Sequence, residues 1–200
     1  MIRIAVLCSG GGTNLQALID AWRSGTFVNG EIALVLASRP QIFALERAAA
    51  NDIPAVIVNR KDYPNPDEYD EAMLVQMQSH NIDLVVMAGF LSILGSKVLA
   101  AYEDRIINVH PSLIPSFCGK GFYGLRVHKA ALDCGVKVTG ATVHMVNHVV
   151  DGGRILLQKA VKVLPDDTPE SLQQRVMEEA EWEILPEAVA MFCRGEGVLQ

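Results

Sequence analysis

The chain has 200 residues, half of them hydrophobic, and carries a formal net charge of −6 at pH 7. This length and apolar content suffice for one well-buried core, so we expect residues 1–200 to form a single domain. The acidic balance, without a cluster of Lys and Arg, makes a nucleic-acid-binding protein a poor candidate. The apolar runs are too short to span a bilayer, which argues against a membrane protein.

The first half of the chain alternates between strand and helix patterns. We expect no signal peptide, because the chain runs directly into a strand pattern. Apolar runs, typical of parallel strands covered on both faces, predict strands at residues 2–7, 32–37, 55–58, 83–87 and 106–109. Apolar residues at helical spacing predict helices at residues 14–23, 43–50 and 67–79. The alternation predicts a Rossmann-like, doubly wound α/β sheet with right-handed crossovers and a parallel N-terminal half.

The second half of the chain has a different pattern. A glycine-rich, aromatic segment at residues 116–124 precedes a predicted helix at residues 125–133. Residues 137–149 and 154–163 predict two longer strands, and their short connection favours an antiparallel hairpin that extends the sheet. A closing helix is predicted to begin with Thr168 as its N-cap and Pro169 at its first position.

The four cysteines, Cys8, Cys118, Cys134 and Cys193, are scattered along the chain. They form no CxxC pair and show no metal-ligand spacing. Disulfides are rare in reducing compartments. We therefore expect a reduced, cytoplasmic protein.

A glycine-rich loop at residues 8–14 joins the first predicted strand to the first predicted helix. Glycines let the backbone approach a ligand, and the N-terminus of the following helix attracts an anion. The loop is neither a P-loop nor a GxGxxG motif, since no Gly-Lys-Ser/Thr follows and Leu15 takes the place of the third glycine. A tight turn with positive φ is the alternative, but three successive glycines favour phosphate binding, with Thr13 and Asn14 adding side-chain donors.

Three polar residues follow strand-like runs and are candidates for catalysis. Asn108 and His110 are two residues apart, so they project from one face of a strand, at the end where open α/β folds place their chemistry. Asp151 lies in a loop with two glycines. Taken singly, they also fit a turn amide, a core histidine and a loop carboxylate. Together they predict an oxyanion donor, an acid/base and its orienting carboxylate. We expect the carboxylate to raise the pKa of His110 above its usual ~6.5 and favour imidazolium at neutral pH.

Other residues allow more than one interpretation. The apolar segment at residues 87–94 fits a pocket wall for a flat hydrophobic ligand, or plain core packing. His144 and His148 share a strand face, but a metal site would need a third ligand that the sequence does not place. His128, in a predicted helix, fits a surface residue better than a ligand contact. The glutamates at residues 178–183 are predicted to form mostly a solvated helix face, although one of them could reach the mouth of the active site.

These motifs, in their order along the whole chain, resemble those of the phosphoribosylglycinamide formyltransferase family. The similar segments are residues 2–15, with their Ser-Gly-Gly-Gly-Thr-Asn loop, and residues 88–90, 108–115, 140–144 and 151–153. The string Asn-x-His-Pro-Ser-Leu-x-Pro with a downstream Asp-x-Gly is highly specific to the formyltransferase superfamily. The N-terminal loop and the length point to this family within it.

The resemblance implies the formyltransferase fold and transfer of a formyl group from 10-formyltetrahydrofolate to glycinamide ribonucleotide, a step of purine synthesis, with no metal required. It implies that Asn108 and His110 act on the formyl oxygen and that Asp151 pairs with His110. The implied ribonucleotide-binding residues are Gly11, Gly12, Thr13, Asn14 and Glu181. The implied folate-binding residues are Phe90, Leu91, Ser92, Ile93, Leu94, Asn108, Met145, Val146 and His148.

Three segments depart from the family pattern. Residues 64–66 read Pro-Asn-Pro where the family often has a basic residue near the folate tail, which leaves Lys61 or Arg60 as candidates. Met145 stands where an aromatic residue is common. Residues 118–127 form a longer loop than in the shortest family members.

The alternatives are other formyl enzymes and a binding protein. A methionyl-tRNA formyltransferase would need an extra C-terminal domain and a basic surface. A formyltetrahydrofolate hydrolase usually carries an additional N-terminal domain. A sugar-nucleotide formyltransferase usually has more chain beyond the catalytic core. A catalytically inert phosphometabolite-binding protein would keep the glycine loop without needing Asn108, His110 and Asp151 together. The expected partners are small molecules, not nucleic acid or membrane, and a homodimer stays open.

Overall fold

Residues 1–196 are described by a computed structural model, and within them seven strands form a sheet in the order β3-β2-β1-β4-β5-β6-β7. The strands are β1 (Ile2–Cys8), β2 (Gly30–Ala37), β3 (Ala55–Ile57), β4 (Leu84–Met87), β5 (Ile106–His110), β6 (Val138–Met145) and β7 (Ile155–Lys162). The α-helices are α1 (Thr13–Arg23), α2 (Phe43–Ala50), α3 (Pro66–Ser79), α4 (Ser96–Ala101), α5 (Leu125–Cys134), α6 (Pro169–Val176) and α7 (Trp182–Cys193).

The N-terminal strands are parallel, as the alternating pattern predicts. β1 pairs in parallel with β2 and with β4, and β2 pairs in parallel with β3. Residues 4–8 of β1 are fully buried, because helices cover a parallel sheet on both faces. The predicted bounds of α2 agree with the structure, and α1 and α3 each begin one residue earlier than predicted. The doubly wound fold class is confirmed.

The predicted C-terminal hairpin is also confirmed. β6 and β7 are antiparallel, with pairs running from Val138 opposite Lys162 to His144 opposite Ile155. β6 ends at Met145, four residues before the predicted end, because the chain turns back tightly beyond it. A Cβ atom on Gly153 would lie 1.8 Å from the Met145 carbonyl oxygen, so only glycine fits at this close approach.

Two compact units make up the chain. Unit 1 comprises residues 1–107 and the chain from Val189 onward, and unit 2 comprises Asn108–Ala188. The core of unit 1 includes the buried side chains of Leu7, Leu18 and Leu34. The core of unit 2 includes Val127, Val143, Leu172 and Val176. The expectation of a single domain over residues 1–200 stays a prediction.

The closing helix begins at the predicted residues, but it is not continuous to its end. The Thr168 hydroxyl accepts a hydrogen bond from the Ser171 N–H (3.2 Å), and the Ser171 hydroxyl accepts one from the Thr168 N–H (3.0 Å), which forms a capping box. The helix is interrupted by a π-helical turn at Met177–Glu181 before α7 continues. Across residues 1–196, none of the helices has the length and apolar character needed to cross a bilayer.

Candidate active site

His110 and Asp151 lie together in unit 2, as the sequence predicts. His110 is the last residue of β5 and is 4 % exposed. Its Nε2 atom lies 2.9 Å from the Phe117 carbonyl oxygen, and its Nδ1 atom lies 3.6 Å from Asp151 Oδ2. Because a carbonyl oxygen only accepts, Nε2 carries a proton and donates a hydrogen bond to the Phe117 carbonyl. The Nδ1 atom therefore faces the carboxylate.

Asn108 is held by a second histidine, which the sequence analysis did not assign to the site. The Asn108 amide nitrogen donates to His144 Nε2 at 3.1 Å, and His144 Nδ1 donates to the Met145 carbonyl at 2.7 Å. Because the Nδ1 atom donates to Met145, the Nε2 atom is left as the acceptor for the Asn108 N–H. It fixes the orientation of the Asn108 amide and occupies one of its two N–H groups.

The Asp151 carboxylate lies between the two imidazoles. Its Oδ1 atom is 3.6 Å from His144 Nε2, and its Oδ2 atom accepts a hydrogen bond from the Gly119 N–H at 2.8 Å. Burial acts to raise the pKa of Asp151, but the neighbouring imidazoles of His144 and His110 and the Gly119 N–H together hold it below its usual value. Asp151 is therefore ionised at neutral pH. His110, His144, Asp151 and Asn108 are called the imidazole–carboxylate cluster below.

The expected rise in the pKa of His110 is wrong in sign. Burial is the largest influence and lowers the pKa of His110, while the Phe117 carbonyl and Asp151 act to raise it and His144 acts to lower it. The net result lies below the ordinary value of 6.5. Asp151 thus acts in the expected direction, but removal of the imidazole from water outweighs it. His110 is mainly neutral at pH 7.

The segment that follows His110 is tied to the C-terminal hairpin. The Thr142 hydroxyl of β6 donates to the Ser112 carbonyl (2.6 Å) and accepts from the Ile114 N–H (3.1 Å). The Gln158 amide of β7 donates to the Ile114 carbonyl at 3.0 Å. Thr142 and His144 are two residues apart on β6, so one strand positions both this segment and the Asn108 amide.

His128 is a buried neighbour of His110 and not the surface residue that the sequence favoured. It lies on the buried face of α5 with Val127 and Ala131 and is 0 % exposed. Neither of its ring nitrogens has a hydrogen-bond partner. Burial, with a smaller contribution from His110, lowers the pKa of His128 to about 4. His128 is therefore a neutral imidazole at pH 7.

The glycine loop, residues 10–12, lies in unit 1 directly before α1. Gly12 has φ +69° and is the N-cap of α1, and a Cβ atom on it would lie 2.9 Å from Ala44. A Cβ atom on Gly10 or Gly11 would meet no heavy atom within 4 Å. The turn thus explains only one of the three glycines. Of the predicted ribonucleotide-binding residues in this unit, Thr13 is partly exposed and Asn14 is buried.

The predicted folate-binding segment of unit 1 is divided between core and surface. Phe90 and Leu94 are buried, whereas Leu91 and Ile93 are 60 % and 77 % exposed. Core packing therefore accounts for Phe90 and Leu94, and the pocket wall stays a prediction for Leu91 and Ile93. Ser92, between them, is partly exposed.

The remaining predicted residues differ in exposure. In unit 2, Met145 is buried, Val146 is partly exposed and His148 is exposed. Glu181 is buried, in the π-helical turn, rather than on a solvated face. In unit 1, the Arg60 guanidinium donates to the Tyr63 carbonyl (2.8 Å), whereas Lys61 is exposed. Among residues 1–196, no group of three or more His, Cys, Asp and Glu side chains is arranged to hold a metal ion.

The family model, the similar sequences and a similar solved structure all indicate the same family for this chain. The model of the formyl transferase family matches residues 2–189. The phosphoribosylglycinamide formyltransferase of Haemophilus influenzae is 39% identical over 195 residues, which cover 98% of this chain and 89% of the relative. The trifunctional purine biosynthetic protein adenosine-3 of Drosophila melanogaster is 38% identical over 198 residues, and the chain spans only 14% of that longer protein.

A solved structure agrees in both fold and sequence. The crystal structure of glycinamide ribonucleotide transformylase 1 from Symbiobacterium toebii has a TM-score of 0.92 and 42% sequence identity, and the match covers 98% of this chain and 89% of that one. The family resemblance drawn from the motifs is confirmed. The chain belongs to the formyl transferase family.

Proposed function

We propose that the protein transfers the formyl group of 10-formyltetrahydrofolate to the amine of 5'-phosphoribosylglycinamide, giving the N-formyl product and tetrahydrofolate in purine biosynthesis. The observation that carries the proposal is the imidazole–carboxylate cluster, in which Asp151 lies 3.6 Å from each of two imidazoles. The names of the relatives, including the Haemophilus influenzae enzyme, support the choice of acceptor.

The cluster suits attack of an amine on a formyl carbon. A new C–N bond forms while the formyl oxygen gains negative charge, and the C–N bond to the folate then breaks. The Asn108 amide and the His110 Nε2–H are the donors for this oxyanion, and each well-placed donor of this kind is worth about 3 kcal/mol. The Phe117 carbonyl accepts from Nε2 at 2.9 Å, so the formyl oxygen would take the place of this carbonyl as the acceptor.

The lowered pKa of His110 assigns it a second task. A neutral imidazole accepts the proton that the attacking amine loses, whereas an imidazolium does not. The proton would enter at Nδ1, where the ionised Asp151 stabilises the imidazolium that forms. The proton then passes to the folate nitrogen as tetrahydrofolate leaves. No covalent intermediate with the enzyme is needed.

Substrate binding is proposed for the residues that the family resemblance assigns. The phosphate and ribose of the ribonucleotide would be bound by Gly11, Gly12, Thr13, Asn14 and Glu181. The folate would be bound by Phe90, Leu91, Ser92, Ile93, Leu94, Asn108, Met145, Val146 and His148. The exposure of Leu91 and Ile93, two residues apart, supports an apolar ligand there, because exposed apolar patches often mark a binding surface.

We expect the partners to be small molecules, without nucleic acid or membrane. The net charge of −6 supports this expectation. A cytoplasmic location is supported by the four cysteines, all of which are free thiols. A homodimer is a further proposal, which sedimentation of the purified protein tests directly.

The reaction is tested by mixing the protein with glycinamide ribonucleotide and a 10-formyl folate and following the deformylated folate by absorbance. We expect a signal that depends on the ribonucleotide. A signal without the ribonucleotide would instead indicate a hydrolase. No signal, with ribonucleotide binding retained, would support the phosphometabolite-binding alternative.

A further inference from the structure

Helix α2 holds two successive carbonyl groups of the glycine loop. The Ala44 N–H donates to the Gly10 carbonyl at 3.2 Å. The Arg47 Nε–H donates to the Gly11 carbonyl at 2.9 Å. Both donors belong to the same face of α2, three residues apart, so they draw both carbonyl oxygens toward this helix.

The direction of the carbonyl groups fixes the direction of the neighbouring N–H groups. A trans peptide unit holds its C=O and the next N–H on opposite sides. The peptide bonds from Gly10 to Gly11 and from Gly11 to Gly12 are both trans. The N–H groups of Gly11 and Gly12 are therefore turned away from α2. Successive N–H groups that face one way form a concave site for an anion. The contacts from α2 thus set the orientation that phosphate binding requires.

The Arg47 side chain is fixed on several sides. Its Nη1 atom donates to the Gln16 side-chain oxygen at 2.9 Å, and its guanidinium lies 4.8 Å from the centre of the Phe43 ring. Its Cδ atom would lie 3.3 Å from a Cβ atom on Gly12. Arg47 thus links α2, the glycine loop and α1. Lysine has the charge but not the rigid fork of donors that makes both hydrogen bonds at once.

We propose that Arg47 is a positioning residue for the phosphate group of the ribonucleotide. It holds the Gly11 carbonyl toward α2, so that the following N–H faces the anion, and it does so without contacting the reacting atoms. The proposal rests on the proposed function, because it takes the glycine loop as the phosphate site. It predicts that Arg47 governs affinity for the phosphorylated substrate and not the rate of formyl transfer.

The test compares Arg47→Gln with Arg23→Gln. Arg23 is a matched control in unit 1, since its guanidinium lies 4.5 Å from the centre of the Trp22 ring and donates to the Asn51 carbonyl at 2.6 Å, away from the loop. We expect Arg47→Gln to raise the KM for glycinamide ribonucleotide by about 10-fold or more, since a charge-assisted hydrogen bond is lost. The kcat and the KM for the folate should stay within about twofold, as in Arg23→Gln.

Two further variants keep the test decisive. Arg47→Lys should raise the KM for the ribonucleotide to an intermediate value, and a value equal to that of the wild type would overturn the positioning role. Gln16→Leu removes one contact of the guanidinium while leaving Arg47 in place, and it should raise the KM for the ribonucleotide by a smaller factor. This variant replaces Arg47→Gln in the test if Arg47→Gln does not fold. Equal KM values for Arg47→Gln and Arg23→Gln would overturn the proposal. A wild-type protein without ribonucleotide-dependent activity would instead overturn the proposed function.

Discussion

In unit 1 the three glycines at residues 10–12 offer only backbone groups, whereas in unit 2 the imidazole–carboxylate cluster consists almost wholly of titratable side chains. Packing fixes the loop, because Gly12 lies so close to Ala44 that a Cβ atom would be 2.9 Å away. In the cluster, burial lowers the pKa of His110, whereas at Asp151 the two imidazoles and the Gly119 N–H outweigh burial and hold the pKa below its usual value. The two regions should therefore respond to different perturbations, geometry for the loop and charge for the cluster.

The largest expected effect separates turnover from binding. His110→Ala removes an oxyanion donor and the proton acceptor together, so we expect turnover to fall by about 1,000-fold or more. Affinity for the ribonucleotide, measured by calorimetric titration, should change little, because the glycine loop is unaltered. Equal losses of binding and turnover would contradict the role assigned to His110.

The acid stability of the protein tests the influence of burial on the pKa of His128. In the folded chain the pKa of His128 is about 4, below the ordinary 6.5 of the unfolded chain. The unfolded state therefore binds the proton first, and the stability of the folded state falls as the pH drops from 6.5 towards 4. This shift corresponds to about 3 kcal/mol of unfolding free energy.

His128→Leu should remove this loss, so the urea midpoints of the variant at pH 7 and pH 4.5 should differ less than those of the wild type. His148→Leu, at an exposed position of the same unit, is the control and should keep the wild-type difference. A wild-type pH dependence in His128→Leu would show that His128 is not the group responsible.

The Asn108 amide is oriented by its hydrogen bond to His144. His144→Phe keeps a planar ring but removes the Nε2 atom that accepts from the Asn108 amide at 3.1 Å. We expect kcat to fall roughly 100-fold, as for loss of one oxyanion donor. Both residues act through the same amide. The double variant, His144→Phe with Asn108→Ala, should therefore lower kcat little more than either single variant does. Strictly additive losses in this double-mutant cycle would argue against the coupling.

The smallest expected effect concerns packing at the glycine loop. Gly12→Ala places a side chain at φ +69° and 2.9 Å from Ala44, so we expect a loss of about 2 kcal/mol in unfolding free energy. Gly11→Ala is the matched control, since its Cβ atom would meet nothing within 4 Å, and its stability should stay within about 0.5 kcal/mol of the wild type. Urea unfolding at pH 7 measures both. Equal destabilisation by Gly12→Ala and Gly11→Ala would show that the close approach to Ala44 does not determine the conformation of this loop.

Local patterns predicted most of the secondary structure. The apolar spacing at residues 43–50 predicts α2 with its observed bounds, and Thr168 followed by Pro169 predicts the start of α6. Helix α4 was missed because its cap comes from elsewhere in the chain: the Asp70 carboxylate of α3 accepts hydrogen bonds from the N–H groups of Gly95 and Lys97. A six-residue helix stabilised by such a distant partner has little local signal.

The sequence by itself determined the fold class, the family and the proximity of His110 to Asp151, because these follow from strand periodicity and from motifs at strand ends. Only the tertiary structure decided the part of His144 in holding Asn108, the burial of His128 and the sign of the shift in the pKa of His110. The roles of the individual site residues stay predictions. The physical reason for the division is range: a strand or a cap is set by residues a few positions apart, whereas desolvation depends on every element packed around a side chain.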